Sequence, residues 1–413
     1  MNPDAPDLVV RNGRVVTCDG PGGGLGIVER GAVLCRGDRI AWVGPDAQLR
    51  VPEGAAVLDA RGGCVLPGLV DPHTHLVFAG RRLDEFEARM GGEDYRAIAA
   101  RGGGIASTVR ATREASDAVL LDGAIARLHA MRAHGVTAVE VKSGYGLSHE
   151  QELRLLAVAR ALPSRVPVRV TTSLLAAHAL PPERRDDRAG YVREIVERTV
   201  PEAAARGLAD AVDVYCDEGA FDLEEARAVL GAARQAGLAV RAHAGQFRAL
   251  GAAGLVASLG GLSADHLEQV HDEELRAMAL AGTVAVLLPA AWRTLRQRPP
   301  DVERMRALGV RIAVGTDCNP GTSPCTDLPL CAALAVRDAG LRAEEAVLAM
   351  TAHAARAAGM ADGGRIAQGA RADLAIYPFD DPRILVYALG DVRASMVVFE
   401  GRLVDGEPAA SSW

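Results

Sequence analysis

The sequence predicts an α/β protein: a (β/α)8 TIM-like barrel carrying a small β-sandwich domain built from both chain termini. Three observations carry that expectation. The middle of the chain alternates apolar strand-like runs with helical stretches eight times over roughly 290 residues, as an eight-fold β–α barrel requires. Both ends are rich in short strands and turns and lack helical periodicity. The length, 413 residues, suits one large domain plus a smaller one. The expected boundaries are 1–64 and 364–413 for the composite small domain and 65–363 for the barrel.

At the N-terminal end, Leu8-Val9-Val10 and Arg14-Val15-Val16 flank Asn12-Gly13, which reads as a hairpin turn. Ala32–Cys35 and Ile40–Val43 flank a second turn at Gly37-Asp38. In the middle, the strand candidates are Leu69–His75, Val136–Val141, Val168–Ser173, Val212–Tyr215, Leu238–His243, Ser263–His266, Thr283–Leu288 and Arg311–Val314. Helices are expected over Ser116–His134, Glu150–Ala161, Asp187–Ala205, Leu223–Ala236 and Glu273–Ala281. A doubly wound open sheet is the alternative, but no G-x-G-x-x-G follows an early strand. At the C-terminal end, Ala372–Tyr377, Met396–Phe399 and Arg402–Val404 read as strands, with a turn at Glu400-Gly401.

Composition narrows the function. Net charge is −7 and the hydrophobic fraction 49%, which fits a globular protein and argues against nucleic-acid or anionic-membrane partners. Seven scattered cysteines without a C-x-x-C point to reduced thiols and a cytoplasmic setting. Asp4 and Asp7 and the lack of an apolar stretch near the start give no sign of a secretory signal. The longest uncharged stretch, Ala277–Trp292, is punctuated by Gly282 and Pro289 and is too short to span a bilayer.

Barrel enzymes place their chemistry at the C-terminal ends of the strands. Those ends carry His73 and His75, Lys142 through Tyr145, His178, Cys216 and Glu218, His243, His266, Pro289 and Asp317. His73 and His75, two apart in a strand, point to the same face. Five of the ten histidines fall at or just past strand ends. The economical metal-ligand set is His73, His75, His243 and Asp317: three imidazoles and a carboxylate, suited to one Zn²⁺ or Fe²⁺/Fe³⁺ with a position open for water. Bland alternatives are a buried structural His243, an Asp317 that caps the next helix, and a core His266 bonded to Asp265.

Leu66–His75, Thr316-Asp317 and the tail Gly364–Leu374 together resemble the amidohydrolase superfamily. That resemblance implies a metal held by the first-strand H-x-H, the fifth-strand His243 and the eighth-strand Asp317, with sixth-strand His266 assisting. Two-metal members bridge their ions with a carboxylated lysine after strand four; here Cys216, Asp217 and Glu218 stand there, which implies one metal. Lys142, after strand two, is expected to be structural. More narrowly, His75–Arg82, Glu140–Leu147, Ala176–Ala179, Ser263–Leu267, Ala285–Pro289 and Thr316–Pro324 resemble the imidazolonepropionase family. That implies metal-dependent hydrolysis of the ring amide of 4-imidazolone-5-propanoate to N-formimidoyl-L-glutamate, in histidine degradation, by a homodimer.

The resemblance also implies roles. His266 and Asp317 are the catalytic candidates. Arg82 is expected to hold the propionate, a role that the residue alone, readable as a solvated loop charge, would not suggest. Tyr145, His178, Asn319, Gly321 and Thr322 are further substrate contacts, and Tyr95 a further lining residue. Gln246 stands where some relatives carry an acid. It cannot move a proton at ordinary pH but can hydrogen-bond a ring, which favours amide hydrolysis over deamination. The alternatives are another mononuclear cyclic amidohydrolase or deaminase, and a non-catalytic scaffold of the same fold.

Overall fold

The computed structural model describes residues 7–93 and 103–406. Among the described residues, sixteen strands fall into two eight-stranded sheets. The first contains β1 (Leu8–Val16), β2 (Ile27–Arg36), β3 (Arg39–Pro45), β4 (Ala56–Asp59), β5 (Cys64–Pro67), β14 (Leu374–Tyr377), β15 (Met396–Phe399) and β16 (Arg402–Gly406). The second contains β6 (Leu69–Thr74), β7 (Val136–Lys142), β8 (Arg169–Ala177), β9 (Ala211–Cys216), β10 (Ala239–Ala244), β11 (Ser263–His266), β12 (Val284–Leu287) and β13 (Ile312–Val314).

The first sheet is mixed, in the order β16-β15-β14-β5-β1-β2-β3 with β4 beside β1. The two ends of the chain meet where β5 pairs antiparallel with β14, Leu374 opposite Pro67 and Tyr377 opposite Cys64. One expectation fails here. Asn12-Gly13 is not a hairpin turn: β1 runs through it, pairing with β2 on both sides of a register shift, and Asn12 takes φ of 55°. The turn residues that close hairpins also build bulges, because both need left-handed backbone.

The second sheet is the barrel. Its strands are all parallel and neighbours in chain order from β6 to β13. The open-sheet alternative ends at the seam: just past β13, Cys318 pairs with Thr74 of β6. The Asp317 amide donates to the His73 carbonyl at 3.0 Å, and the His75 amide to the Cys318 carbonyl at 3.0 Å. Closure therefore brings the first strand's H-x-H beside the last strand's aspartate.

The expected helices form, with caps that explain their starts. Ser116 and Ser148 accept from Val119 and Gln151 amides, and Asp222 and Glu225 form a capping box. The stretch expected as one helix over Asp187–Ala205 holds a π segment at Ile195–Thr199 between two α segments. At the bottom of the barrel, helix Ala352–Ala357 packs its alanines against Val70, Val284 and Ala313. Only Gly68 separates β5 from β6; a Cβ there would lie 2.0 Å from Thr137 Oγ1, so the close approach of the two sheets demands glycine.

Candidate metal centre and pocket

Strand alternation aims His73 into the barrel mouth, and His75 follows it past the end of β6. His243, on β10, faces them. The His75 and His243 Nε2 atoms are 3.4 Å apart. Asp317 Oδ1 lies 3.5 Å from His73 Nε2 and 3.4 Å from His75 Nε2. One ring nitrogen from each of the three histidines falls within 4.8 Å of the others, all three residues being buried. His73 Nε2 is buried with no hydrogen-bond partner, which a ligating nitrogen requires in the absence of its ion. Burial holds all three imidazoles below their usual pKa, His73 and His75 well below, so they stand neutral, as ligands must. The donor set fits a divalent cation.

The ring orientations are set from behind. Asp265 Oδ2 sits 2.6 Å from His73 Nδ1, and Asp213 Oδ1 3.0 Å from His243 Nδ1. Each carboxylate fixes the Nδ1–H tautomer and turns Nε2 toward the metal position. Burial opposes ionisation of Asp213, but His243 and Lys142 hold its carboxyl well below the usual range. Lys142 is fully buried, its Nζ 2.7 Å from Asp213 Oδ2 and 3.1 Å from Glu140 Oε1.

His266 has φ of 79° and Asp317 φ of 51°; left-handed backbone at non-glycine residues is typical of functional strand ends. The expected alternative for His266, a bond to Asp265, does not form: Asp265 is taken by His73. His266 Nδ1 instead faces Glu268 Oε2 at 3.8 Å. Burial works against its protonation, yet Glu268 raises its pKa overall. Burial pushes Asp317 up to about 7. Asp317 caps no helix; the next one, Leu328–Ala339, is capped by Asp327.

A cavity opens above this cluster, lined by His75, Arg82, Tyr145, His178, Gln246 and Thr322 among others. Arg82, expected on motif grounds, is buried at 7% exposure. Among the described residues its Nε and Nη1 have no hydrogen-bond partner, and Nη1 stands 3.6 Å from Glu85 Oε2. A buried guanidinium with unused donors is a ready anion site. Gly321 lies against its flat group: a Cβ there would be 2.2 Å from Arg82 Nη2.

The amidohydrolase family model matches residues 64–404, and that of the bacterial imidazolonepropionase-like composite domain matches residues 31–51. A curated imidazolonepropionase of Acidiphilium cryptum is 50% identical over 376 residues, covering 91% of this chain and 93% of its own. One of Paracoccus denitrificans is 46% identical over 398 residues, covering 96% and 100%. The chain belongs to the imidazolonepropionase family of amidohydrolases. Among solved structures, the fold is shared with N-isopropylammelide isopropylaminohydrolase from Burkholderia multivorans (TM-score 0.71, 22% identity, covering 98% of this chain and 100% of that one). It is shared equally with a zinc-bound adenosine deaminase from Xanthomonas campestris (TM-score 0.71, 20% identity, covering 99% and 95%).

The remaining candidates of this imidazolonepropionase-family pocket divide by how much bonding capacity they keep. His178 donates from Nδ1 to the Gly144 carbonyl at 2.8 Å and stacks on His75. Burial pushes its pKa down to about 3, so it presents a neutral Nε2 acceptor. Tyr145 packs beside both rings. Gln246 Oε1 accepts from Tyr215 at 2.7 Å, which turns its Nε2 donors outward. The Asn319 side chain is spent on its own loop, accepting from Gly321 and Thr322 amides and donating to the Asp317 carbonyl. It shapes the loop that carries Asp317. Tyr95 lies outside the described residues. Sequence reasoning missed Asp213, Glu268 and Tyr215, and assigned Lys142 no part in the site. The available signal was charge inside strands: Asp213 lies between Val212 and Val214, and Glu140 and Lys142 share one face of β7.

Proposed function

We propose that this pocket opens the ring amide of 4-imidazolone-5-propanoate to N-formimidoyl-L-glutamate, with one divalent cation, zinc or iron, held by His73, His75, His243 and Asp317. Bound there, a cation would acidify a water toward neutral pH and polarise the amide carbonyl. The chain's own groups do the rest. Arg82 holds the propionate by a charge-assisted fork, and Gln246 Nε2 donates to the ring. Tyr145 and His178 align the ring plane, while Thr322, Gly321 and Asn319 keep Arg82 and Asp317 in register.

Water adds to the carbonyl carbon while the C–N bond to the ring nitrogen breaks. Asp317 takes the water proton and passes it to the departing nitrogen, its Oδ1 standing beside His73 and His75 at the centre of the cluster. His266, with Glu268 behind it, donates from Nε2 to the oxygen on which negative charge develops. The observation that carries this reading is the coincidence, in one cavity, of a neutral three-histidine site with a buried guanidinium whose Nε and Nη1 make no hydrogen bond among the described residues. A deaminase would need a proton donor where Gln246 stands.

The test is direct: metal-loaded protein is mixed with 4-imidazolone-5-propanoate and the loss of its ultraviolet absorbance followed. Turnover without ammonia release is expected; no turnover overturns the reading. The proposal extends to the units 1–64 with 364–413 and 65–363, to a cytoplasmic setting, supported by seven unpaired thiols, and to a homodimer, which light scattering reads. Among the described residues, no helix is long and apolar enough to cross a membrane.

A further inference from the structure

Beneath the metal position the barrel interior is filled with charge rather than with aliphatic side chains. Lys142, Asp213 and Asp265 come from β7, β9 and β11, the second, fourth and sixth strands of the barrel, and so share an inward-facing layer. All three are fully buried or nearly so. Lys142 Nζ is 2.7 Å from Asp213 Oδ2, 3.5 Å from Asp265 Oδ2 and 3.1 Å from Glu140 Oε1. Arg241 closes the network from below, 3.5 Å from Glu140 and donating to the Pro72 and Ala357 carbonyls. The other oxygen of Asp213 reaches His243 Nδ1, whereas Asp265 Oδ2 itself is shared between His73 Nδ1 and Lys142.

We propose that Lys142 is the positioning residue of the metal centre: one ammonium ties together the two carboxylates that orient His73 and His243, so both rings are held as Nε2 donors by a single buried group. The inference rests on the metal reading given above but concerns how the ligands are set, not which ion they hold. Without Lys142 the two aspartates would repel each other across the barrel and lose their common anchor, and each ring would lose the fixed acceptor behind it. Outer-shell partners of ligating histidines are worth about 10- to 100-fold in metal affinity.

Coulomb attraction alone predicts the opposite sign, since removing a positive charge beneath a cation site strengthens cation binding. The informative variant therefore keeps the net charge: Glu140→Gln with Lys142→Met removes one negative and one positive group together. Zinc affinity of the purified full chain is measured by competition with a chromophoric chelator, with circular dichroism as the folding control. The expected result is a loss of about 10- to 100-fold in zinc affinity in a folded protein. Affinity within twofold of the parent, or tighter, overturns the proposal; a purely structural role would lower the melting temperature and leave the affinity of the folded protein unchanged.

A second measurement needs no variant and holds if the double substitution fails to fold. In metal-free protein carrying ¹⁵N-histidine, the network should already fix both rings, so that the Nδ1–H resonances assigned to His73 and His243 stand at low field and persist when zinc is added. Protons on Nε2, or averaged tautomers that sharpen only on zinc addition, would show that the ion and not the Lys142 network sets the rings. Loss of turnover with both results intact would instead count against the catalytic reading.

Discussion

Replacing Gly321 by alanine tests the anion site without removing its charge. The added Cβ would lie 2.2 Å from Arg82 Nη2 and 2.3 Å from its Cζ, so the guanidinium must retreat by roughly 1 Å to reach van der Waals separation. A shift of that size stretches a hydrogen bond of ordinary length beyond its useful range. Charge-assisted bonds contribute about 1.5–3 kcal/mol each, so impairing a two-bond fork by about 2–3 kcal/mol predicts a KM higher by about 30- to 150-fold. Arg82→Ala sets the upper limit, since it deletes the fork. Because the colliding atoms are the end of a flexible side chain and Gly321 has no left-handed backbone to lose, the melting temperature should move little. Steady-state kinetics on 4-imidazolone-5-propanoate, followed by its absorbance, separate KM from kcat; kcat should fall much less than KM rises. A Gly321→Ala enzyme with parental KM would refute the placement of the propionate on Arg82.

Three further outcomes follow from the same geometry. His73, His75, His178 and His243 all have pKa values lowered by burial, so the unfolded chain binds more protons below pH 6.5 and the metal-free protein should lose stability as pH falls from 7 to 5. Each such histidine contributes up to about 1.4 kcal/mol per pH unit, offset in part by Asp71 and Asp317, whose carboxyls burial pushes up to about 7 and which act in the opposite direction; urea titrations showing equal stability at both pH values would contradict the net loss. Cys325 is partly buried where the other six cysteines are buried, its thiol drawn below the usual pKa by Cys331 at 3.8 Å, whereas burial pushes Cys18, Cys35, Cys64 and Cys216 up to about 12. A chromogenic disulfide reagent on the native protein should therefore label Cys325 first, as peptide mapping would read. His266→Ala should lower kcat by about 10²- to 10⁴-fold and Glu268→Gln by less; parental kcat in the His266 variant would remove that residue from the proposed chemistry.

The barrel was legible because β–α alternation is periodic, and the ligands because histidines gathered at strand ends while those in helices did not. What escaped was set by pairing across strands that no spacing encodes. Asp265 and His266 are neighbours in sequence, which suggested a mutual bond, but the left-handed backbone at His266 breaks strand alternation and leaves Asp265 to His73. Lys142 reads from the sequence as structural, yet its value depends on Asp213 and Asp265 reaching the same point from two other strands. Asn12-Gly13 carried the residues of a turn and formed a bulge, because the pairing of β1 with β2 outweighs a local preference.

The barrel seam bears on how the protein is made. Asp71 of the first barrel strand bonds Thr316, 245 residues further along, and Asp317 meets His73 and His75 only once that seam is shut. During synthesis the H-x-H pair leaves the ribosome long before its carboxylate partner, so a complete chelate cannot assemble on a nascent or truncated chain. Contacts this distant in sequence form late and slowly. If a cation binds as proposed, its ligand set is completed only when the seam closes, so a stalled barrel would gain less of the stabilisation that binding supplies.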